Sequence, residues 1–127
     1  MGTFKELLEK QDVLILHGAL GNELEALGYD ISGKLWSAKY LLEKPSIIHE
    51  IHESYIAAGA DLVTTSSYQA TLPGLQEAGL SEAEARAVIA QSVDLAKAAR
   101  EKVWASISDA EKSKRPYPLI SGDIGPY

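Results

Sequence analysis

Three short apolar segments, separated by long stretches of helical pattern, constrain the fold of this chain more than any other feature. They are Asp12–Leu16, Asp61–Ser67 and Tyr117–Gly122, and each is rich in strand-forming residues. Parallel strands need long crossovers of this kind, and a continuous apolar run is typical of a strand buried on both faces. The pattern therefore predicts an α/β fold with parallel β/α units. Both a doubly wound sheet and a (β/α)8 barrel begin in this way.

The predicted helices have recognisable beginnings and ends. Thr3 and Glu6 have capping-box spacing for a helix to Lys10, and a longer helix starts at Pro45 or Ser46 and closes at Gly59. The longest helix follows Ser81 and runs to about Ser106. Its predicted inner stripe is Ala85, Val88, Ile89, Ser92, Ala96, Ala99 and Val103. Shorter helices are predicted at Asn22–Leu27, at Leu35–Leu42 and after Leu72-Pro73-Gly74, and Asp109–Pro116 is predicted to be a charged loop.

Composition excludes several function classes. The 127 residues include 12 Lys and Arg against 18 Asp and Glu, so the formal net charge is −6. We therefore expect no electrostatic capture of nucleic acid or of an anionic membrane. No cysteine is present, which excludes disulfides, thiolate metal ligands and a cysteine nucleophile. No secretory signal or membrane-spanning apolar run is visible, and we expect a cytoplasmic protein.

Three polar clusters follow the predicted strands, at the end of the sheet where parallel α/β proteins bind ligands. The first is His17-Gly18-Ala19, where small residues would let a ligand approach the backbone. The second is Thr64–Gln69 and the third is Ser121–Tyr127. Each also has a structural interpretation: a tight turn, a polar strand end that satisfies its own backbone, and an ordinary loop.

Two further features allow more than one interpretation. His49 and His52 are three residues apart on one predicted helix, a spacing that could place two metal ligands together. However, His52 falls within the apolar stripe and no third ligand is evident, so structural histidines are favoured. Trp36 is either a core anchor or the wall of a pocket. The chain contains no phosphate-loop motif, no dinucleotide glycine fingerprint and no serine elbow.

Taken together, these segments resemble the amino-terminal part of homocysteine S-methyltransferases of the S-methylmethionine-dependent type. The resemblance is carried from about Leu7 to Tyr127 by several blocks. They are Leu16-His17-Gly18-Ala19, Glu23-Leu24-Glu25, Leu35-Trp36-Ser37-Ala38, His52, Tyr55, Ala58-Gly59-Ala60, Thr65–Thr71, Gly79-Leu80 and Gly122-Asp123-Ile124-Gly125-Pro126-Tyr127.

The resemblance implies a TIM-type (β/α)8 barrel that moves a methyl group from S-methylmethionine or a similar sulfonium donor to homocysteine, forming methionine. It implies a zinc ion held by three cysteines that keeps the homocysteine sulfur as a thiolate. It further implies that the Gly18 and Ala19 amides bind the homocysteine carboxylate and that His17 contacts the amino group. Trp36, Tyr68 and Gln69 would lie on the donor side of the pocket, where aromatic faces suit a sulfonium cation.

Two departures from the family pattern stand out. The family has Asp at the position of His17, and a neutral imidazole pairs with an ammonium group only weakly. The zinc cysteines are also absent, so we expect no catalysis by this chain alone. Residues 1–127 are therefore interpreted as an incomplete barrel domain that holds the first three strands. With open strand edges, it is expected to self-associate or to pair with a missing C-terminal half.

Two other hypotheses remain open at this stage. One is a small non-catalytic α/β module that binds an amino acid or another anion at the Gly18 turn. The other is a purely structural half-barrel that pairs with a second chain.

Overall fold

A computed structural model describes residues 3–126 of the chain. The helices are α1 (Phe4–Lys10), α2 (Leu20–Ala26), α3 (Tyr40–Glu43), α4 (Pro45–Ala58), α5 (Leu72–Glu77), α6 (Glu82–Ser106) and α7 (Asp109–Lys114), with a 3-10 turn at Trp36–Lys39 before α3. The strands are β1 (Leu62–Thr64) and β2 (Leu119–Ser121). The fold is therefore α/β, as predicted.

A small parallel sheet organises the molecule. β1 pairs with β2 in parallel, with Val63 opposite Ile120. A single parallel bridge joins Leu16 to Leu62 on the other side of β1. The order across the sheet is thus the first segment, then β1, then β2, and all three run in the same direction. Their carboxyl ends therefore meet at one edge, where the three polar clusters begin.

The expectation of a first strand buried on both faces is wrong. Among residues 3–126, Asp12–Leu16 forms the single bridge, and Val13, Ile15 and Leu16 are 73%, 56% and 60% exposed. The segment lies at the edge of the sheet, and it is paired on one side only. A continuous apolar run indicates a strand suited to burial, but burial also requires other elements to cover it.

The helices are mostly as predicted. Thr3 and Glu6 form the expected capping box, and Gly59 ends α4 in the left-handed conformation at φ 115°. Five members of the predicted α6 stripe are buried, namely Ala85, Ser92, Ala96, Ala99 and Val103, while Val88 and Ile89 are partly buried. The predicted loop at Asp109–Pro116 is wrong, because Ser108 and Glu111 form a capping box that starts α7.

The core lies between the helices and one face of the sheet. The larger cluster joins α3, α4, α5 and α6 around Leu41, Ile48, Ile51 and Leu75. A smaller cluster joins the ends of α4 and α6 to β1 through Ile56, Val63 and Ala99. Within residues 3–126, no helix is long and apolar enough to cross a membrane.

Candidate functional site

The first polar cluster is held in place by Asp61. Its carboxylate, in a residue only 4% exposed, accepts a hydrogen bond from the Ile15 N–H at 2.9 Å. The backbone continues the pairing, since the His17 N–H donates to the Leu62 carbonyl at 2.8 Å. These bonds fix where the chain leaves the sheet, and so they fix the position of His17-Gly18-Ala19. Sequence reasoning placed Asp61 at the start of a strand and did not identify this role.

Gly18 lies directly against the ring of Tyr55. A Cβ atom at this position would come within 2.4 to 2.7 Å of three atoms of the Tyr55 side chain, closer than real Cβ atoms pack. The Tyr55 hydroxyl donates a hydrogen bond to the Ala19 carbonyl at 3.2 Å. Neither the Gly18 nor the Ala19 N–H is paired with a backbone carbonyl among residues 3–126. The turn is therefore tight, as the structural interpretation of this cluster predicts. It also carries two amide donors, Gly18 and Ala19, that pair with no backbone carbonyl of residues 3–126.

His17 forms a buried pair with His52. Nε2 of His17 and Nδ1 of His52 are 3.0 Å apart, and the two residues are 6% and 0% exposed. The His17 ring also packs on Tyr55, with ring centroids 4.3 Å apart. Burial, reinforced by the neighbouring His17 and His49, lowers the pKa of His52 to about 3. Burial also lowers the pKa of His17, so both rings are neutral at neutral pH.

The two histidines of α4, His49 and His52, have different partners. His49 pairs with Glu53 at 2.8 Å, and Glu53 also pairs with Lys102 at 2.9 Å. His52 points instead to His17 in the interior. Across the described range 3–126, no group of three or more His, Asp or Glu side chains is arranged to hold a metal ion. Each histidine thus has a side-chain partner within the protein, Glu53 for His49 and His17 for His52.

The second and third clusters meet in one hydrogen-bonded network. The hydroxyls of Thr65 and Ser67 are 2.6 Å apart, Thr65 accepts from the Asp123 N–H at 3.0 Å, and Ser67 donates to the Asp123 carbonyl at 2.6 Å. A cavity of about 320 Å³ lies beside this network, between the end of β1, the loop after β2 and α6. The polar strand end thus satisfies local backbone groups and also lines a cavity. Tyr127 of the third cluster lies outside the described residues.

Trp36 and Tyr68 both face solvent. They are 53% and 41% exposed, so the interpretation of Trp36 as a core anchor is wrong. Trp36 also has φ +48°, a left-handed conformation that is unusual for a bulky residue. A large aromatic side chain held in the open by a strained backbone is better suited to contact a ligand than to fill a core. Gln69 follows Tyr68 and is half-buried.

Comparison with known proteins decides the family. The sequence profile of the homocysteine S-methyltransferase family matches residues 14–127. The chain belongs to the homocysteine S-methyltransferase family. It is 42% identical over 127 residues to homocysteine S-methyltransferase YbgG of Bacillus subtilis (strain 168), covering 100% of this chain and 40% of that protein.

Other family members agree. Homocysteine S-methyltransferase of Escherichia coli (strain K12) is 46% identical over 123 residues, covering 97% of this chain and 38% of that protein. The crystal structure of homocysteine methyltransferase MmuM from Escherichia coli in its metallated form superposes with a TM-score of 0.83 at 46% identity, covering 95% of this chain and 40% of that chain. The chain therefore spans about 40% of the length of these family members.

Proposed function

We propose that residues 1–127 are the amino-terminal part of a (β/α)8 barrel that transfers a methyl group from a sulfonium donor to homocysteine. The observation that carries the proposal is the family match over residues 14–127. The sheet supports it, since three parallel segments follow one another in chain order, as at the start of a barrel. The exposed edge at Val13, Ile15 and Leu16 is what a sheet that continues would leave uncovered. Self-association through this edge stays a prediction.

In the proposed reaction the homocysteine sulfur, as a thiolate, attacks the donor methyl carbon in line. A new S–CH₃ bond forms, the sulfonium S–CH₃ bond breaks, and its electron pair stays on the donor sulfur as a neutral thioether. The sulfonium is already a good leaving group, so holding the two sulfurs in line is the main task of the protein. Homocysteine becomes methionine, and the proposed donor is S-methylmethionine or a similar sulfonium.

The Gly18 turn is the proposed binding site for the amino-acid end of homocysteine. The amides of Gly18 and Ala19 would donate to its carboxylate, and their lack of described backbone partners supports this. His17 would accept from the amino group. Nε2 of His17 is engaged by His52 and Nδ1 is enclosed, so this contact requires the His17 ring to move when the ligand binds.

The donor side of the pocket is assigned to Trp36, Tyr68 and Gln69. Two exposed aromatic rings can place their negative faces against a sulfonium cation. The strained backbone at Trp36 is consistent with a side chain held in position for a ligand.

Zinc does not fit the residues of this chain. The chain has no cysteine, and no metal-holding cluster occurs in the described part of it. The relative from Escherichia coli was crystallised in a metallated form, so any family metal would need donors that residues 3–126 do not supply. We therefore assign to this chain the binding and orientation of substrates, and no metal-dependent step.

The test is a chimera in which this chain replaces the matching 38% of the Escherichia coli enzyme. Methionine formation from homocysteine and S-methylmethionine is the expected result. A correctly folded chimera that forms no methionine would contradict the proposal. Calorimetry of the 127-residue chain with homocysteine, methionine and phosphate gives a second readout. Binding of phosphate but of neither amino acid would favour a non-catalytic anion-binding module.

His17→Asp in the chimera tests the assignment of the amino group. A carboxylate would pair with the ammonium group of homocysteine more strongly than a neutral imidazole does, so we expect KM for homocysteine to fall by roughly tenfold. The matched control is His49→Asp, because the His49 side chain pairs with Glu53, and it should leave KM unchanged. An unchanged or higher KM in the His17 variant would show that His17 does not face the amino group.

A further inference from the structure

A second cavity lies at the opposite end of the strands from the candidate site. Its volume is about 420 Å³, within the range of small-molecule sites. It is formed by α1, the last turns of α6 and the segment that leads from α7 into β2. Lys10, Lys112, Arg115, Trp104 and Tyr117 line it.

Positive charge is concentrated at this cavity, although the chain as a whole carries −6. Lys10, Lys112 and Arg115 line it together with a single acid, Glu6. A neighbouring cavity of about 340 Å³ shares these three cations and adds Lys114. Several cations in a concave site attract and hold anions more strongly than isolated surface charges do.

The arginine is held in place by the fold. Nη2 of Arg115 donates to the carbonyls of Ile56 and Ala60, at 2.9 and 3.3 Å. These bonds use one end of a guanidinium group that has five N–H donors, so other donors remain for a ligand. Such anchoring reduces the entropy that a flexible cation would lose on binding.

The cavity also has a rigid aromatic wall. Trp104 and Tyr117 meet edge to face, with ring centroids 5.2 Å apart. Two neighbours fix the position of Tyr117. Its hydroxyl donates a hydrogen bond to the Glu101 carboxylate, and the Arg100 guanidinium lies 4.6 Å from the centre of its ring. The Lys112 ammonium lies 5.9 Å from the centre of the Trp104 ring. The Lys112 ammonium group and the flat apolar surface of Trp104 thus lie side by side in the cavity wall.

The side-chain amide nitrogen of Gln11, beside the neighbouring cavity, lacks a hydrogen-bond partner within residues 3–126. Nε2 of Gln11 is buried with no hydrogen-bond partner among residues 3–126, and Gln11 lines the neighbouring cavity. Buried amide donors are almost always paired, so an acceptor from a ligand would complete this one.

We propose that this basic-aromatic cleft binds a small anion attached to a planar ring. The ring packs on Trp104, and the anionic group lies among Lys10, Lys112 and Arg115. The cleft is separate from the proposed homocysteine site, because it lies at the amino-terminal ends of the strands.

The test is titration of the chain with adenosine monophosphate and with benzoate, against adenosine and inorganic phosphate. We expect at least one ring-bearing anion to bind with a Kd of about 1 mM or below, at least about tenfold tighter than adenosine or phosphate. In a Trp36→Phe background, binding should change the fluorescence of Trp104, the remaining tryptophan. Equal binding of phosphate would overturn the role of the ring, and equal binding of adenosine would overturn the role of the charge.

Variants locate the site. Lys10→Ala and Lys112→Ala should each weaken binding about fivefold, whereas Lys97→Ala, an exposed lysine elsewhere on α6, should not. Trp104→Phe keeps a ring and should retain most of the affinity, whereas Trp104→Leu should lose it. Binding that is unchanged in both lysine variants would overturn the location. No saturation by either ring-bearing anion up to about 10 mM would overturn the proposal.

Discussion

The two ends of the parallel strands are built from different chemistry. At the carboxyl end, His17, Gly18, His52 and Tyr55 are packed against one another, and both histidine rings are neutral. At the amino end, three cations and two aromatic rings surround an open cleft. The first arrangement fixes the backbone of the Gly18 turn, and the second leaves side chains accessible. The comparison teaches that the tightly packed end should respond to changes in volume and protonation, and the open end to changes in charge.

The first prediction concerns the packing of Gly18, which Gly18→Ala would disturb. The new Cβ would approach Tyr55 to 2.4 Å, so the turn or the ring must move. Overpacking of this kind costs about 1–3 kcal/mol in the free energy of unfolding, measured by chemical denaturation. Gly122→Ala is the matched control, because a Cβ there has no atom within 4 Å. Equal losses in the two variants would show that the packing of Gly18 against Tyr55 is not special.

The second prediction concerns protonation of the packed end. The pKa of His52 is about 3 in the folded chain and near 6.5 when unfolded, so between these values the unfolded state binds more protons. Stability should therefore rise with pH through this window, by up to about 1.4 kcal/mol per pH unit from this residue, and should level off above pH 6.5. His17, whose pKa is also lowered, should add to the slope.

His52→Leu removes the titrating group, and so the slope measured by denaturation between pH 4 and 7 should become shallower than in the parent chain. His49→Gln is the comparison, since His49 pairs with Glu53 and is the smallest of the three causes that lower the pKa of His52, so this change should alter the slope far less than His52→Leu does. A slope that survives His52→Leu unchanged would show that the histidine pair is not the source of the pH dependence.

Much of the architecture could be predicted from the sequence because it depends on local signals. Capping boxes at Thr3 and Ser81, the proline at the start of α4 and the left-handed Gly59 after it all act within a few residues. The exposure of Ile15 and Leu16 could not be predicted in this way, because it depends on what packs against them from elsewhere.

The candidate site was only partly predictable. The strand-end clusters were found from their polar residues, and the network of Thr65, Ser67 and Asp123 brings two of them together. The pairing of His17 with His52 joins residues 35 positions apart, and no local pattern indicates it. The positions of Asp61 and Tyr55 also depend on tertiary contacts. The identities of the substrates came from resemblance rather than from the residues alone.

One missed element did have a local signal. Ser108 and Glu111 have the same spacing as the capping box predicted at Thr3 and Glu6, but the high charge of Asp109–Pro116 favoured a loop. The resulting helix α7 carries Lys112 and leads into Arg115, so it builds one side of the basic-aromatic cleft. Without α7, the basic-aromatic cleft could not be predicted from the sequence.

The smallest expected effect tests that link between helix and cleft. Ser108→Ala removes the oxygen that accepts from the Glu111 N–H at 3.2 Å, a loss of about 1 kcal/mol for an N-cap. A frayed α7 would hold Lys112 less firmly, so adenosine monophosphate should bind about two- to threefold more weakly by calorimetry. Ser113→Ala, an exposed serine near the end of the same helix, should change neither quantity. If Ser108→Ala lowers stability but leaves affinity intact, α7 does not build the cleft, and the contrast between the two ends must rest on α1 and α6.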